Sequence, residues 1–230
     1  MNPLVNICIP TYDKDGNTIQ HLNQSFNILE KQSYKNFNLI ITDNSKNDNV
    51  KKLCKSWHSK LNIKYYLNDI KYGMSQNINY CLSKADGEVI KILFQDDYLL
   101  NENSLELLVS HFVGNYNHWL ITACCHTNDG INLFKPLYPF YHDNIHYGEN
   151  TISCPSVLMF KNENVLEFDE NLCWLMDVDY YKRLYDKFGL PSICNYITVV
   201  NREHINQTSN ILSVENKNKD IEYIKNKFIT

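Results

Sequence analysis

Two adjacent carboxylates, Asp96 and Asp97, follow an apolar run in the segment KILFQDDYL, residues 91–99. The run predicts a buried strand, which puts the pair at the mouth of a sheet. Adjacent aspartates also occur in solvated turns and helix caps, so the pair alone leaves that interpretation open. Carboxylate oxygens at a strand mouth favour a hard divalent cation. The pattern is therefore typical of a site where a metal bridges a diphosphate.

Three further polar clusters lie next to predicted elements: residues 11–13, residues 43–48, and Asp177 with Asp179. The first two follow apolar strands, and the third opens a helix. In an open α/β sheet, ligands bind beyond the carboxyl ends of the strands. We therefore expect these clusters and the Asp96–Asp97 pair to face one ligand site.

The elements that would position these groups alternate between apolar β-type runs and helix-period segments. Helices are predicted after a cap at Asn17 and from a capping box of Asn103 with Glu106. Other helices are predicted over 50–59, 74–83 and 176–188, and strands over 4–10, 37–42, 63–67, 88–94, 118–125, 156–160 and 193–200. This alternation predicts an α/β fold with a mostly parallel sheet flanked by helices.

Two segments lack a clear period. Residues 128–151 are rich in Tyr, His and Pro and predict a long connection of the kind that carries recognition. Residues 210–230 are polar with few apolar residues, which leaves a docking helix and a frayed tail both open. We expect one domain over 1–230, divided into residues 1–100, a smaller part over 101–209 and a tail over 210–230.

Composition excludes some partners and locations. A net charge of −4 and a pI of about 6.0 give no basic face for nucleic acid or an anionic membrane. The sequence shows neither a signal-peptide pattern nor a transmembrane segment, so a cytoplasmic location is expected. The eight scattered cysteines form no C-x-x-C pair and are interpreted as reduced core residues.

From Val5 to Ser209 the chain resembles the family 2 glycosyltransferases of the GT-A fold. VNICIPTYD resembles the family's opening strand, and IITDNSKND its second-strand motif. KYGMSQNINYCLSKADGEVIKILFQDD resembles N-x-G-x-x-x-x-R-N, A-x-G-E-Y-I and an aspartate motif. FDENLCWLMDVDYYKRL resembles F-D-E-x-L with E-D-x-D and an Arg, and NREHINQTS resembles R-x-H-x-x-x-S. Five such motifs in the right order are hard to obtain by chance.

The resemblance implies a GT-A fold, Rossmann-like, and transfer of one sugar from a nucleotide sugar, commonly a UDP-sugar, with inversion. It also implies a divalent Mn²⁺ or Mg²⁺ cofactor. Asp177 would be the base, Asp97 and His204 would bind the metal, and Asp179 and Arg183 would support the site. Nucleotide contacts would come from Pro10, Thr11, Tyr12, Asp13, Asp43, Gly73, Asn77 and Asp96. The resemblance makes residues 1–100 the nucleotide-binding half and residues 101–209 the acceptor-side half. The acceptor, whether saccharide, lipid-linked or protein-linked, is not identified by these motifs, and a lipid-linked acceptor would place the protein at the periphery of a membrane.

The chain departs from the family pattern at four positions. The first carboxylate of D-x-D-D is Phe94, and the acid before the base is Met176. Thr42 stands at the first position of the second-strand motif, where the family usually has an acid. Gln76 stands before Asn77, where the family usually has an Arg. A base role therefore falls on Asp177 alone.

Structural interpretations stand beside several of these assignments. A carboxylate in the first turn of a helix is stabilised by the helix dipole, which would suffice for Asp177. Arg183 would then serve only as an ion-pair partner, and His204 would be a surface residue. Tyr12 would equally suit packing.

Two other classes of protein are alternatives to this interpretation. A nucleotidyltransferase normally follows its first strand with a Gly-rich basic loop, but this chain has PTYDKDGN there. Neither G-x-G-x-x-G nor G-x-x-x-x-G-K occurs, which disfavours dinucleotide and P-loop proteins. A catalytically inert module that binds carbohydrate is the remaining alternative, and retention of Asp96, Asp97 and Asp177 together argues against it. The Q-x-x-R-W motif of processive synthases is absent from the sequence.

Overall fold

The computed structural model describes residues 2–14, 16–69, 73–115, 117–205 and 207–228. Within these residues nine strands form one sheet, in the chain order β1 Val5–Thr11, β2 Phe37–Asp43, β3 Ile63–Leu67, β4 Val89–Ile92, β5 Tyr98–Leu99, β6 Trp119–Thr127, β7 Phe134–Leu137, β8 Leu158–Lys161 and β9 Ser192–Arg202. The helices are α1 Asn17–Glu30, α2 Asn49–Trp57, α3 Met74–Ser83, α4 Ser104–Gly114, α5 Met176–Phe188, α6 Thr208–Ile211 and α7 Val214–Lys227.

The strand order is β3-β2-β1-β4-β8-β6-β9-β5, with β7 paired to β6. Strands β1 to β4 are parallel, β8 runs antiparallel between β4 and β6, and β9 is parallel to β6. Strands β1, β2, β3, β4, β6 and β9 therefore run in one direction. The predicted mostly parallel α/β sheet is confirmed, and its common carboxyl edge is where ligand sites form in such sheets.

The central strands are buried along their whole length, as strands covered on both faces must be. All residues of β6 are buried, and β1 is buried except at Pro10, which is half-buried. Helix α3 packs against β1 and β2, and α4 packs against β9 and β6. Helix α1 packs with an apolar stripe in which Leu22, Phe26 and Leu29 are fully buried.

The predicted cap at Asn17 is wrong, and at α4 Asn103 is the N-cap residue but the predicted capping-box hydrogen bonds are not made. Gly16, with φ 85°, is the cap of α1 and gives it no side-chain hydrogen bond, and Asn17 is the first helical residue. At α4, Asn103 makes no capping hydrogen bond, and Glu106 accepts the hydroxyl of Ser33 instead. Gln32, fully buried, caps α4 from outside because its Oε1 accepts the backbone N–H of Leu105 at 2.9 Å. A cap contributed by a distant residue leaves no local sequence signal.

The segment 128–151 is partly regular. It contains β7 and a 3₁₀ turn at Ile145–Tyr147, and β7 pairs with β6 across an irregular register. The predicted long connection is therefore a hairpin arm followed by a compact loop. Its exposed apolar side chains are Ile131, Leu133, Phe134, Tyr138, Phe140 and Tyr147.

The C-terminal tail forms a docked helix rather than a frayed end. In α7, Ile224 is buried in the main core, and Lys227 lies 2.7 Å from Asp179 on α5. Asp220 is buried, and its Oδ2 accepts the backbone N–H groups of residues 173–175 at 2.6–3.0 Å. Since those N–H groups precede α5, α7 fixes the start of that helix.

The cysteines are all free thiols, and six of the eight are buried, as predicted for core residues. Cys154 is half-buried and Cys173 is exposed. In the part of the chain that the structure describes, no helix combines the length and apolarity needed to span a bilayer.

Replacing Gln32 by Ala should lower the free energy of unfolding by about 1–3 kcal/mol, because the buried N–H of Leu105 loses its acceptor. The carbonyl of Asn101 also loses the Gln32 amide that it accepts at 2.7 Å. Asn103→Ala is the matched control and should change stability by less than about 0.5 kcal/mol. Urea unfolding of both variants measures the difference. A larger loss for Asn103→Ala than for Gln32→Ala would restore the capping box.

Candidate active site

The carboxyl edge of the sheet brings together the polar clusters that the sequence singled out. Residues 11–13 follow β1, residues 43–45 follow β2, and Asp96 and Asp97 lie between β4 and β5. Arg202 ends β9, and residues 153–156 precede β8, which runs the opposite way. Strand direction alone therefore delivers segments that are far apart in sequence to one edge.

A network of buried amides holds the first three strand ends together. Asn77 donates through Nδ2 to the carbonyls of Thr11 (3.0 Å) and Thr42 (3.4 Å), and its Oδ1 accepts the amide of Asn68. Thr42 returns a hydroxyl hydrogen bond to the Asn77 carbonyl. Asn77, predicted from the family motif, thus holds the strand ends in register. The network explains why Thr42 suits this chain, since its hydroxyl donates where a carboxylate would not.

Asp43 is fully buried at the end of β2. Its Oδ1 accepts from the hydroxyl of Thr11 (3.2 Å) and the N–H of Ser45 (2.9 Å), and its Oδ2 accepts from Tyr65 (2.8 Å). Burial and this hydrogen bond raise the pKa of Tyr65, so the phenol remains a donor. Three protein donors leave one acceptor position on Oδ2. A direct contact of Asp43 with a nucleobase stays a prediction.

Tyr12 and Asp13 adjoin in sequence but differ in environment. Tyr12 is 47% exposed, and its backbone N–H and carbonyl both bond to the amide of Gln95. Asp13 is buried, and its carboxylate accepts the N–H of Gly16 and the amides of Asn47 and Asn49. The aromatic ring is therefore accessible to a ligand, whereas the carboxylate organises the loop.

Gly73 is the N-cap residue of α3 and has a φ of 142°, a value that residues with a side chain rarely adopt. A Cβ built there would lie 2.0 Å from the Gln76 side chain. The backbone conformation at this position therefore requires the glycine that the motif predicts. Gln76, in place of the family Arg, reaches the carbonyl of Glu170 at 3.5 Å.

Asp97 is buried, and backbone and thiol donors hold it. Its Oδ1 accepts the N–H of Arg202 at 2.9 Å, and its Oδ2 accepts the thiol of Cys154 at 3.3 Å. Burial, followed by the negative charge of Asp96, raises the pKa of Asp97 to about 7. An unneutralised carboxylate in this position favours a cation.

Asp96 is more accessible than Asp97 and contacts His204, whose Nε2 lies 3.1 Å from Asp96 Oδ2. The structure therefore brings the loop that carries Asp97 next to the loop that carries His204, the two predicted metal ligands. Asp96, adjacent to Asp97, makes the contact with His204. A cavity of about 250 Å³ opens here, lined by Phe94, Asp96, Asp97, His126, Ser153, Cys154, Asn201, Arg202, Glu203 and Gln207.

Arg202 links the loops around this cavity. Its Nε donates to the carbonyl of Asp96 (3.2 Å), and its terminal nitrogen donates to Gln24 (2.6 Å). Gly130 lies against the guanidinium, where a Cβ would come within 2.7 Å of it, and has a φ of 81°. Sequence reasoning gave Arg202 no role, although it stands two residues before His204 in the same motif.

A lysine lies beneath the cavity. Lys91 is fully buried in β4 and donates to the carbonyls of Ile92 and Ser156. Burial lowers the pKa of Lys91 to about 7. This cross-link joins β4 to the residues before β8, and the N–H of Phe94 strengthens it by donating to Ser156 Oγ at 2.9 Å.

Asp177 lies in the first turn of α5 and is half-buried. Its Oδ1 accepts the N–H of Val178, and its Oδ2 accepts the side-chain amide of Asn150, both at 2.8 Å. Burial raises the pKa of Asp177 to about 7, the range in which a general base works best at neutral pH. Asn150 lies in the aperiodic segment, and no sequence signal identified it.

Asp179 and Arg183 form the ion pair that the sequence suggested, with Arg183 Nε 2.8 Å from Asp179 Oδ2. Asp179 is fully buried, and Lys227 supplies its second cation at 2.7 Å. Met176, in place of the family acid, is buried and accepts the hydroxyl of Ser75. The two aspartates of the motif are thus distinct: Asp179 is neutralised, whereas Asp177 is held by neutral donors.

The donors present fit a metal that is shared with a ligand. Among the described residues no three His, Cys, Asp or Glu side chains form a ready-made metal cluster. Asp97, Asp96 and His204 offer two carboxylates and an imidazole at one edge. Mg²⁺ and similar ions are commonly bound by one or two carboxylates together with substrate phosphates. The residues therefore fit a divalent cation bound together with a diphosphate.

Known proteins share this architecture. S. aureus TarS 1-349 in complex with UDP-GlcNAc superposes with a TM-score of 0.74 at 17% identity, over 91% of this chain and 61% of that chain. Mannosyltransferase PcManGT from Pyrobaculum calidifontis, in complex with GDP-Man and Mn²⁺, superposes with a TM-score of 0.63 at 16% identity, over 90% of this chain and 58% of that one. These likenesses confirm the predicted GT-A fold.

Sequence comparison agrees. Glycosyltransferase GlyG of Streptococcus pneumoniae serotype 4 is 28% identical over 128 residues, which cover 52% of this chain and 41% of GlyG. The matched regions thus span less than two thirds of each of these three proteins. The family model described as Glycosyl transferase family 2 matches residues 6–207. With its GT-A sheet and a family match over most of its length, the chain belongs to glycosyl transferase family 2.

Proposed function

We propose that this protein transfers a single sugar from a nucleotide sugar, of the UDP-sugar class, to an acceptor hydroxyl with inversion and with a divalent cation. One observation carries the proposal. At the carboxyl edge of the sheet, one turn, residues 150–154, donates hydrogen bonds to two carboxylates, Asp97 and Asp177, and burial raises the pKa of each to about 7. Perturbed carboxylates gathered at a sheet edge indicate a functional site. Asp97 suits the cation, and Asp177 suits the acceptor hydroxyl.

The nucleotide would bind along the ends of β1, β2 and β4. Tyr12 is exposed and suits stacking on a base, and the last acceptor position of Asp43 Oδ2 suits a base N–H. Pro10, Thr11, Asp13, Gly73 and Asn77 would shape this wall through the backbone and hydrogen bonds described above. Asp96 would contact the ribose. Residues 1–100 are thereby proposed as the nucleotide-binding half of one domain, and residues 101–209 as the acceptor side.

Asp97 and His204 would hold Mn²⁺ or Mg²⁺ against the diphosphate. When bound, the cation supplies neutralisation of the charge that grows on the departing nucleoside diphosphate. Asp97 is suited to this role because both of the groups that donate hydrogen bonds to its carboxylate, the N–H of Arg202 and the thiol of Cys154, are neutral.

Asp177 would accept the proton of the acceptor hydroxyl. The acceptor oxygen then bonds to the anomeric carbon, and the bond from that carbon to the diphosphate oxygen breaks with its electron pair on the diphosphate. Attack from the face opposite the leaving group inverts the anomeric centre, and a carboxylate base on that face is what inversion requires. Asp179, Arg183 and Lys227 would fix the helix that carries the base.

An inert GT-A-like module that binds carbohydrate is the alternative, favoured by Phe94 and Met176 standing where the family has acids. Turnover of a nucleotide sugar separates the two. A module without activity would bind the nucleotide but release neither sugar nor nucleoside diphosphate.

UDP should bind appreciably only with Mn²⁺ or Mg²⁺, because Asp96 and Asp97 repel a bare diphosphate and the cation reverses that sign. At 100 times its dissociation constant, metal–UDP should add about 2.7 kcal/mol to stability. Binding should weaken as pH falls below about 7, because protons then compete for Asp97. Thermal shifts with metal alone, UDP alone and both measure this. Equal shifts for UDP in EDTA and in Mn²⁺ would overturn the metal assignment.

Asp97→Asn should weaken metal–UDP binding by about 10- to 100-fold. The variant should melt at the same or a higher temperature than wild type at pH 8. The pKa of Asp97 is raised from 3.8 to about 7 in the folded protein, so stability falls as pH rises between these values, and the full cost of the charged form, present at pH 8, disappears in the Asn variant. Asp86→Asn, an exposed aspartate paired with Lys64, is the control and should bind normally. Normal metal–UDP affinity in Asp97→Asn would contradict the assignment.

Asp177→Asn should reduce transfer by about 10²- to 10⁴-fold with donor affinity unchanged, because only the proton acceptor is lost. The wild-type rate at saturating metal should rise with pH through about 7 as Asp177 ionises. Asp179→Asn is the matched comparison. It should instead destabilise the fold by about 3–5 kcal/mol, because Arg183 and Lys227 lose a buried partner. Transfer assays and melting curves measure both. An Asp177→Asn variant with wild-type transfer would remove Asp177 from the mechanism.

A further inference from the structure

The turn of residues 150–154 joins the two perturbed carboxylates. At one end, Asn150 Nδ2 donates to Asp177 Oδ2 at 2.8 Å. At the other, the thiol of Cys154 donates to Asp97 Oδ2 at 3.3 Å. The first residue of this turn therefore contacts the proposed base, and its last residue contacts the proposed metal ligand.

Asn150 uses its whole side chain. Its Oδ1 accepts the backbone N–H groups of Ile152 (3.1 Å) and Ser153 (3.0 Å), which is the geometry of an Asx turn. Its Nδ2 donates to the Ser153 carbonyl (3.0 Å) and to Asp177. The oxygen thus shapes the turn, while one amide hydrogen is left to reach across to α5.

The turn itself is held against its own backbone preference. Ser153 has a φ of 95°, an unusual value for a residue with a side chain. The hydroxyl of Tyr181 donates to its carbonyl, and the amide of Asn201 donates to its Oγ, both at 2.8 Å. A strained conformation persists where its surroundings over-determine it, and such strain concentrates at functional sites.

We propose that Asn150 is a positioning residue, which orients the carboxylate of Asp177 toward the acceptor hydroxyl and fixes its place relative to Asp97. The inference rests on the proposed function of Asp177 as base. The amide of Asn150 and the N–H of Val178 each take one lone pair on a different oxygen. A second lone pair on each oxygen therefore stays available for the acceptor proton.

Asn150 also stabilises the ionised form of Asp177, since a donated hydrogen bond favours the charged carboxylate. Tyr181 on α5 interacts electrostatically with this carboxylate, and Cys154 is the titratable group at the far end of the turn, against Asp97. Burial holds the pKa of both well above the ordinary value, so both stay neutral near pH 7. Changes at Asn150 should therefore appear directly in the ionisation of Asp177.

The substitution Asn150→Asp separates this role from a merely structural one. An aspartate keeps the oxygen that accepts from Ile152 and Ser153, so it retains the two hydrogen bonds of the Asx turn and loses only the amide donor to the Ser153 carbonyl and to Asp177. It replaces the amide donor by a carboxylate that faces Asp177 with like charge. Asn150→Ala removes both functions. A structural role makes Asn150→Ala the worse variant, whereas a positioning role makes Asn150→Asp the worse one.

The experiment measures kcat against pH, metal–UDP affinity and melting temperature for both variants. Thr151→Ala is the control, because the Thr151 hydroxyl binds the carbonyl of Phe140, away from Asp177. For Asn150→Asp we expect kcat at pH 7 to fall about 10- to 100-fold. The acid limb of the pH profile should move up by about one pH unit. Metal–UDP affinity should be unchanged, and the control should match wild type.

Asn150→Asp with the wild-type kcat and acid limb, alongside an inactive Asp177→Asn, would overturn the positioning role and leave the proposed function intact. A wild-type rate in Asp177→Asn would overturn both. Should Asn150→Asp fail to fold, Asn150→Ala decides: a lower kcat with an upward-shifted acid limb supports the role, and an unshifted acid limb overturns it.

Discussion

The desolvation of two carboxylates at one edge of the sheet is the constraint on which the rest of the site depends. A buried carboxylate is stable only when cations or several donors satisfy it. Asp97 and Asp177 receive backbone N–H, thiol and amide donors, which hold their geometry and leave their charge largely unneutralised. Their raised pKa values record that arrangement. The residual charge is what the proposed metal ion and the acceptor proton would satisfy.

Helix α5 carries one carboxylate that is held by neutral donors and one that is paired with cations. Asp177 and Asp179 are two residues apart, so their side chains point to different sides of the helix. Asp179 faces inward and is paired with Arg183 and Lys227. Asp220 on α7 accepts three N–H groups just before the helix begins. The C-terminal tail therefore acts on the candidate site indirectly, by fixing the helix from which Asp177 projects.

Much of the fold could be predicted from the sequence, because parallel strands and amphipathic helices leave periodic patterns. Helices α3 and α5 and strand β3 were predicted with the bounds that the structure has. The short strand β5 was missed, since two residues carry no period and pairing with β9 defines them. The cap of α4 was missed for a similar reason, because Gln32 reaches it from 73 residues away. Patterns within a window do not report such contacts.

The same distinction between local patterns and distant contacts applies to the residues of the candidate site. Motif residues such as Asp97 and Asp177 are identified by their position after a strand or at the start of a helix. Their partners are not, because Arg202 is 105 residues from Asp97 and Asn150 is 27 residues from Asp177. The chain's departures from the family pattern follow the same logic of local environment. A carboxylate at Met176 would be buried beside Ser75 with a single hydroxyl partner, so the thioether is the less costly group there. The loss of that acid removes a like charge next to Asp177, and burial then becomes the main cause of its raised pKa.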